Sequence, residues 1–446
     1  MMDFQLTLPP LLKRAGTYFE PVEIASRLPG KSYHRYTYRD FHDRALRLAA
    51  ALTKAGIRRG ERVATLMWNH YAHLEAYFGI PSAGFVVHTL NLRLRPSEIA
   101  YIVNHAEDRV LIVDDVLLPL YDQIKDEVEP EEVLVVPLTG KSVPDGYTSY
   151  EEFIGREDGE FVFPELREDE AAGMCYTSGT TGRPKGVLYS HRAIVLHSFA
   201  SALAVTLGLG QEDVICPVVP MFHANAWGIP FTSTMIGAQQ VFPGPHLDPV
   251  SLLETLSHER VTLSAGVPTL WIGMLNELEK DASRWDLSSL HTLVVGGAAA
   301  PEALVRGFDR HGIRVLHAWG MTEMAPLGTV SHLKSYLHDI SEEEKYGYRI
   351  KQGLPVPFVE ARVRTVAEGK EVPWDDQTMG ELQVRGPWIA EGYYRTPDLA
   401  DSWTEDGWLR TGDVVTVDGE GYVLIKDRTK DLVRSGGEWI SSVALE

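Results

Sequence analysis

The sequence predicts an α/β protein: a large unit of layered sheets flanked by helices, followed by a smaller β-rich unit. Three observations carry this expectation. Strand-like and helix-like apolar patterns alternate up to about residue 350. The strand candidates are short unbroken apolar runs, as in mostly parallel sheets covered on both faces. Beyond about Gly353 the pattern changes to short strands separated by Gly, Pro and Asp, which reads as antiparallel.

The elements follow in order. From Tyr38 to Ala55, the residues Phe41, Ala45, Leu48, Ala49 and Leu52 recur at helical spacing, and Gly56 supplies a stop. Arg62 to Met67 reads as a buried strand. Pro96 to Ala106 is a helix with proline in its first turn, and Val110 to Val113 is the next strand. His291 to Val295 is strand-like, Gly296-Gly297 turns the chain, and Pro301 to His311 is a helix closed by Gly312. Ile313 to Leu316 is again a strand. Ser341 to Lys345 is a charged helix or loop facing solvent. In the β-rich region the strands are Glu360 to Thr365, Gly380 to Arg385 and Gly421 to Ile425. Lys426 to Ser442 is rich in charge and glycine, as linkers are. The divisions expected from this pattern are 1–352, 353–425 and 426–446.

Composition narrows the function. With 446 residues, and about 150 per compact unit, two to three units are expected. Lys+Arg is 42 and Asp+Glu is 62, a net charge of −20, so the surface repels nucleic acid and anionic headgroups. Hydrophobic residues at 44% exclude global disorder. The two cysteines, Cys175 and Cys216, are too few for a disulfide framework and fit a reducing compartment. Met1 to Arg14 lacks the pattern of a secretory signal, and no apolar stretch is long enough to span a membrane. The expectation is a cytoplasmic protein with no nucleic-acid partner.

The most informative segment runs from Tyr176 to Gly186. Gly179, Gly182 and Gly186 let the backbone turn tightly and expose N–H groups. Thr177, Ser178, Thr180 and Thr181 add hydroxyls, and Lys185 adds a positive charge. Together they suit a polyphosphate. The spacing is not that of a Walker A loop. The plain alternative is a solvated Gly/Thr loop, which so restricted an eleven-residue composition disfavours. There is no G-x-S-x-G elbow and no H-E-x-x-H pair.

This segment resembles the signature phosphate loop of the adenylate-forming superfamily, which includes acyl-CoA synthetases, peptide-synthetase adenylation domains and luciferases. Four further stretches, all in family order, strengthen the resemblance. They are Gly296 to Pro301 (GGAAAP), His317 to Glu323 (HAWGMTE), Leu409 to Asp413 (LRTGD), and Lys426 to Asp431 with Ser435 to Glu438. Taken singly, a lone Glu is usually solvated, a lone Trp is usually core, and an Asp in T-G-D is often a turn residue. Taken jointly they point to an adenylating site.

The resemblance implies roles residue by residue. Glu323 holds Mg²⁺, with Thr177 beside it. Lys185 and Thr322 contact phosphate, and Trp319 offers a face to adenine where the family usually has Tyr. Asp413 and Arg428 bind ribose. Gly297, Ala298, Ala299, His317, Ala318, Gly320, Ile425, Lys430, Arg434 and Trp439 complete the nucleotide contacts, with Lys430 at the family's hinge. His223, in PMFHANAWG, approaches the acyl phosphate, and Trp227 fits a gate on the acyl channel. Gly228 and Met235 are taken with them as substrate-pocket residues. The expected catalytic set is Thr177, Lys185, His223, Thr322 and Glu323.

The implied reaction joins a carboxylic acid to coenzyme A through an acyl-adenylate, using ATP and Mg²⁺ and releasing AMP. The branch resembled is that of bacterial medium- and long-chain fatty acid–CoA ligases, which also holds ligases for short thioether acids such as methylmercaptopropionate. An aryl- or amino-acid adenylating enzyme and a non-catalytic nucleotide-binding module are the alternatives. The apolar and small residues after His223 favour a hydrophobic acid. A homodimer is compatible with the branch. The family's C-terminal α+β domain, about 100 residues with a further catalytic Lys, is expected to be absent, so that this chain binds ATP and acyl-adenylate but turns over poorly alone.

Overall fold

Helix Tyr38–Lys54 starts at a reciprocal cap: Asp40 N–H donates to Thr37 Oγ1 at 3.3 Å, and Thr37 N–H donates to Asp40 Oδ2 at 2.8 Å. Phe41, Ala45, Leu48, Ala49 and Leu52 all face the core, as their spacing predicts. The computed structural model describes residues 1–157, 160–177, 182–365, 369–396 and 401–429, with the strands Val433–Ser435 and Glu438–Ile440.

Among the described residues the layered sheets expected are two large ones. A seven-stranded sheet runs Thr148–Ser149, Glu132–Val136, Asp108–Asp114, Arg62–Leu66, Val86–Thr89, Ala171–Tyr176, Gly186–Ser190. Its pairings are parallel except for the last. A nine-stranded sheet has a parallel centre through Gln239–Phe242, Val214–Pro217, Leu263–Gly266, Thr292–Val295 and Arg314–Gly320. Its antiparallel margins are Leu327–Val330 and Leu354–Pro355 on one side and the strand Tyr33–Thr37 on the other. The strand Glu23–Arg27 joins that outer strand to Gln239–Phe242.

Helix Tyr71–Ser82 is buried at every residue and touches strands of both sheets. Burial on all sides explains why its apolar residues form no single helical stripe. Gly79 lets it approach its neighbour, since a Cβ there would lie 2.7 Å from the Ala45 carbonyl oxygen. The same helix carries a fully buried carboxylate, Glu75. Arg44 donates to Glu75 Oε1 from Nε at 2.7 Å and also pairs with Glu151, while the Tyr150 hydroxyl donates to Glu75 Oε2 at 2.7 Å.

The charged stretch after Ser341 is helix Glu342–Arg349, closed at its start by a Ser341–Glu344 capping box. The expected antiparallel region is a four-stranded sheet in the order Glu360–Arg364, Gly380–Arg385, Leu409–Val417, Val423–Arg428. Its central strand, Leu409–Val417, was legible only as a motif. Gly412 at φ +71° and a bulge at Val414/Val415 break its alternation.

Candidate active site

The C-terminal ends of parallel strands collect ligands in open α/β sheets. Here the ends of Thr292–Val295 and Arg314–Gly320 meet the turn at His223 around one mostly apolar cavity of about 60 Å³. Gly297, Ala318, Trp319, Gly320 and Thr322, which the resemblance assigns to the nucleotide, line it together with His223 and Trp227. Seven of the residues singled out in the sequence therefore line one cavity. The loop after Thr292–Val295 turns at Gly297 (φ +78°) and leaves Ala298 and Ala299 exposed. Gly296 fits against Trp227, because a Cβ there would sit 2.9 Å from the indole.

Trp319 donates its indole N–H to Asp413 Oδ2 at 3.0 Å, so the larger ring recovers a polar contact without a phenol. Arg428 Nε binds Asp413 Oδ1 at 2.8 Å. Burial pushes the Asp413 carboxyl above its usual range, and Arg428 and Trp319 pull it back. Asp413 pairs across the antiparallel sheet with Arg428, so register alone brings these two together. Ile425 lies on the same strand as Arg428, and its N–H donates to Gln352 Oε1 at 2.6 Å. His317 is buried behind the cavity. Its Nδ1 faces the Ile350 carbonyl at 2.9 Å, which fixes the tautomer as a donor there.

The phosphate segment leaves strand Ala171–Tyr176 and returns in Gly186–Ser190, its antiparallel partner. At its base, Thr177 N–H donates to the Lys185 carbonyl at 2.9 Å. Gly182 is exposed beside it, and Ser178, Gly179, Thr180 and Thr181 lie outside the described residues, as does Lys430. Arg434 and Trp439 face each other in register across the two final strands, and their side chains lie outside the description.

Lys185 Nζ stands 4.9 Å from the centre of the Tyr393 ring, and the Tyr393 hydroxyl donates to Glu323 Oε1 at 2.6 Å. The phosphate segment and the proposed metal carboxylate thus flank one tyrosine. Glu323 and Thr322 occupy the short turn Thr322–Met324, and Tyr189 O–H donates to the Thr322 carbonyl at 2.7 Å. Glu323 is buried, and one of its oxygens is taken by Tyr393. A single protein carboxylate that shares a cation with phosphate oxygens is the usual donor set for Mg²⁺. Among the described residues no cluster of three or more His, Cys, Asp or Glu forms an all-protein cage. The residues present therefore fit a metal that arrives with a nucleotide.

His223 starts an unusual turn. Ala224, Asn225, Ala226 and Trp227 all have positive φ, at 42°, 54°, 51° and 56°. Each costs about 1–2 kcal/mol for an L residue. Asn225 tolerates this region, and its Oδ1 accepts the Cys175 thiol at 3.1 Å. Burial pushes that thiol up to about 11, so it stays a donor. Cys175 belongs to the strand that feeds the phosphate segment, so the strained turn is held from there. His223 itself is exposed at the rim. Partial desolvation and the Arg93 guanidinium lower its pKa.

Gly228 ends the turn at φ +70°, and a Cβ there would come 2.6 Å from the His197 ring. Met235 departs from expectation. It sits on helix Ile229–Ile236 beside a separate groove with Phe19 and Phe199, where the N-terminal segment packs, and not in the cavity.

His197 was not marked by any motif. It is buried, accepts the Leu327 N–H at Nε2 (3.2 Å), and burial lowers its pKa to about 3. It is neutral when folded, whereas the unfolded imidazole titrates near 6.5. Its contribution is complete above that value and is lost as pH falls towards 3, at about 1.4 kcal/mol per pH unit. In denaturant melts between roughly pH 6 and 4, His197→Gln is expected to lose one proton's worth of acid sensitivity. An unchanged slope contradicts the assignment.

The family profile of AMP-binding enzymes matches residues 17–394. A long-chain-fatty-acid–CoA ligase of Thermus thermophilus is 50% identical over 447 residues, covering 100% of this chain and 81% of the relative. A 3-methylmercaptopropionyl-CoA ligase of Ruegeria lacuscaerulensis is 43% identical over 451 residues, covering 100% and 83%. The solved anthranilate CoA ligase AuaEII, in complex with anthranoyl-AMP, shares the fold at a TM-score of 0.88 and 27% identity, covering 100% and 82%. The motifs, the sheets and the profile agree, and the chain belongs to the AMP-binding enzyme family, the adenylate-forming superfamily.

Proposed function

We propose that this chain is an AMP-forming acid–thiol ligase whose acid is hydrophobic, a medium- or long-chain fatty acid. The observation that carries the reading is the shared cavity. Residues expected at the nucleotide and the His223–Trp227 turn line one space with no Asp, Glu, Lys or Arg among its described lining residues. An amino-acid substrate needs a buried counter-charge for its amine, and this wall offers none.

In the proposed sequence the substrate carboxylate attacks the α-phosphorus of ATP and pyrophosphate leaves. The thiolate of CoA then attacks the acyl carbon and AMP leaves. Lys185 offsets phosphate charge as it builds up, Thr322 orients the α-phosphate, and Asp413 with Arg428 holds the ribose. His223 flanks the carboxylate. When bound, Mg²⁺ on Glu323, with Thr177 nearby, neutralises phosphate oxygens. A cytoplasmic location and a homodimer complete the proposal. Two free buried cysteines support the first, and light scattering tests the second.

Titration with non-hydrolysable adenylate analogues tests the substrate. Octanoyl and palmitoyl analogues are expected to bind about 100-fold tighter than aminoacyl ones, a ratio of the size that an unpaired buried amine imposes. Preference for the 3-methylmercaptopropionyl analogue moves the assignment to short thioether acids. Tightest binding of an aminoacyl analogue overturns it.

A further inference from the structure

Tyr393 belongs to none of the motifs singled out in the sequence, yet it stands between two groups that the proposed mechanism needs. Its ring faces Lys185 Nζ at 4.9 Å, and its hydroxyl binds Glu323 Oε1 at 2.6 Å. The backbone around it is tied to the same two places. Ala390 N–H donates to the Glu323 carbonyl at 2.8 Å, and Tyr394 N–H donates to the Gly186 carbonyl at 2.8 Å. Trp403 stands edge-on to the Tyr393 ring at 5.2 Å and donates its indole N–H to the Ala390 carbonyl at 2.7 Å. The segment Ala390 to Tyr394 is therefore a strap. One end is fastened to the turn that carries Glu323 and the other to the strand that closes the phosphate segment.

We propose that Tyr393 is a positioning residue for the Mg·triphosphate site. Its hydroxyl fixes Glu323 so that the other carboxylate oxygen faces the cation, and its ring sets where Lys185 stands. The inference rests on the proposed function, because it needs Glu323 and Lys185 to serve a nucleotide. A hydroxyl donating to a carboxylate is a strong, short, directional bond, and it leaves the remaining oxygen lone pairs for a metal. Partners of this kind behind a metal ligand typically carry a 10- to 100-fold effect on metal affinity. The ring contributes separately, through its negative face towards the ammonium. The two contributions belong to different atoms of one side chain, so two substitutions separate them.

Isothermal titration with ATP, with Mg²⁺ or with EDTA, reads both. For Tyr393→Phe, metal-free ATP affinity is expected to stay within about twofold of the parent chain, while Mg·ATP affinity falls about 10- to 100-fold. Tyr393→Leu is expected to weaken metal-free ATP as well, because Lys185 loses its ring. Mn²⁺ EPR in the presence of ATP should show the same loss for Tyr393→Phe. Equal weakening with and without metal, or an unchanged Mg²⁺ enhancement, overturns the inference. If the Phe variant does not fold, 3-fluorotyrosine placed at position 393 of the otherwise unaltered chain decides. Its ¹⁹F shift should move with Mg·ATP and hardly with ATP alone, and an equal or absent response overturns the proposal. A parent chain that binds no ATP under either condition defeats the ligase reading itself. A parent that binds Mg·ATP, paired with an indifferent Phe variant, defeats only this inference.

Discussion

Gly320→Ala is expected to destabilise the protein by about 4 kcal/mol or more and to abolish nucleotide binding, because no neighbour can yield. A Cβ at 320 would fall well inside contact distance of the Pro326 carbonyl oxygen, 2.8 Å from the Pro326 carbonyl carbon and 3.4 Å from Leu327 Cα. All three are backbone atoms of the hairpin that returns as Leu327–Val330. Gly320 lies between Trp319 and the turn bearing Thr322 and Glu323, so relief of the clash must displace a wall of the cavity. Gly312→Ala is the control. Its φ of +74° also favours glycine, but nothing lies within 4 Å of the added methyl, so the cost should be only about 1–2 kcal/mol with ATP binding intact. Denaturant melts and ATP titration on both variants check the contrast. Comparable losses at the two positions would show that close approach is not the cause.

Arg44→Met should cost about 3–5 kcal/mol while leaving ATP affinity nearly unchanged, since it strands a buried carboxylate far from the chemistry in sequence and lining. Glu75 is fully buried on the helix between the sheets, and Arg44 is its cationic partner, assisted by the Tyr150 hydroxyl. Adding Glu75→Gln to Arg44→Met should recover a large part of the loss, because the amide carries no charge to desolvate. If the double variant is no more stable than the single one, packing by the Arg44 stem and not charge pairing governs this region.

Much of the site was legible because its chemistry is local in sequence. Glycines, hydroxyls and a lysine within eleven residues mark the phosphate segment, and Trp319, Thr322 and Glu323 fall within five. The βα alternation was legible for the same reason, since a core-facing stripe needs only its own helix. Tyr393 was not. It lies in a loop without periodicity, and its partner Glu323 is 70 residues away. Two adjacent tyrosines in a Gly- and Glu-containing loop were the available signal. The left-handed turn was equally hidden, because Ala224 and Ala226 have no preference for positive φ and adopt it only under tertiary pressure. That Met235 lines a different groove from His223 and Trp227 was not legible, because an apolar stretch shows that a residue is buried without showing against which neighbour. The order of strands within the two large sheets was not legible: pattern reveals strands, and pairing is decided by contacts across hundreds of residues.

The N-terminal hairpin has a consequence for biosynthesis. Glu23–Arg27 and Tyr33–Thr37 complete the edge of the nine-stranded sheet by docking on Gln239–Phe242, roughly two hundred residues downstream. At 5–20 residues per second, the hairpin emerges from the ribosome and waits about 10–40 s for its partner to be made. During that interval its unpaired rim is open to wrong neighbours, so the nascent chain is most vulnerable to aggregation before the middle of the protein has been translated.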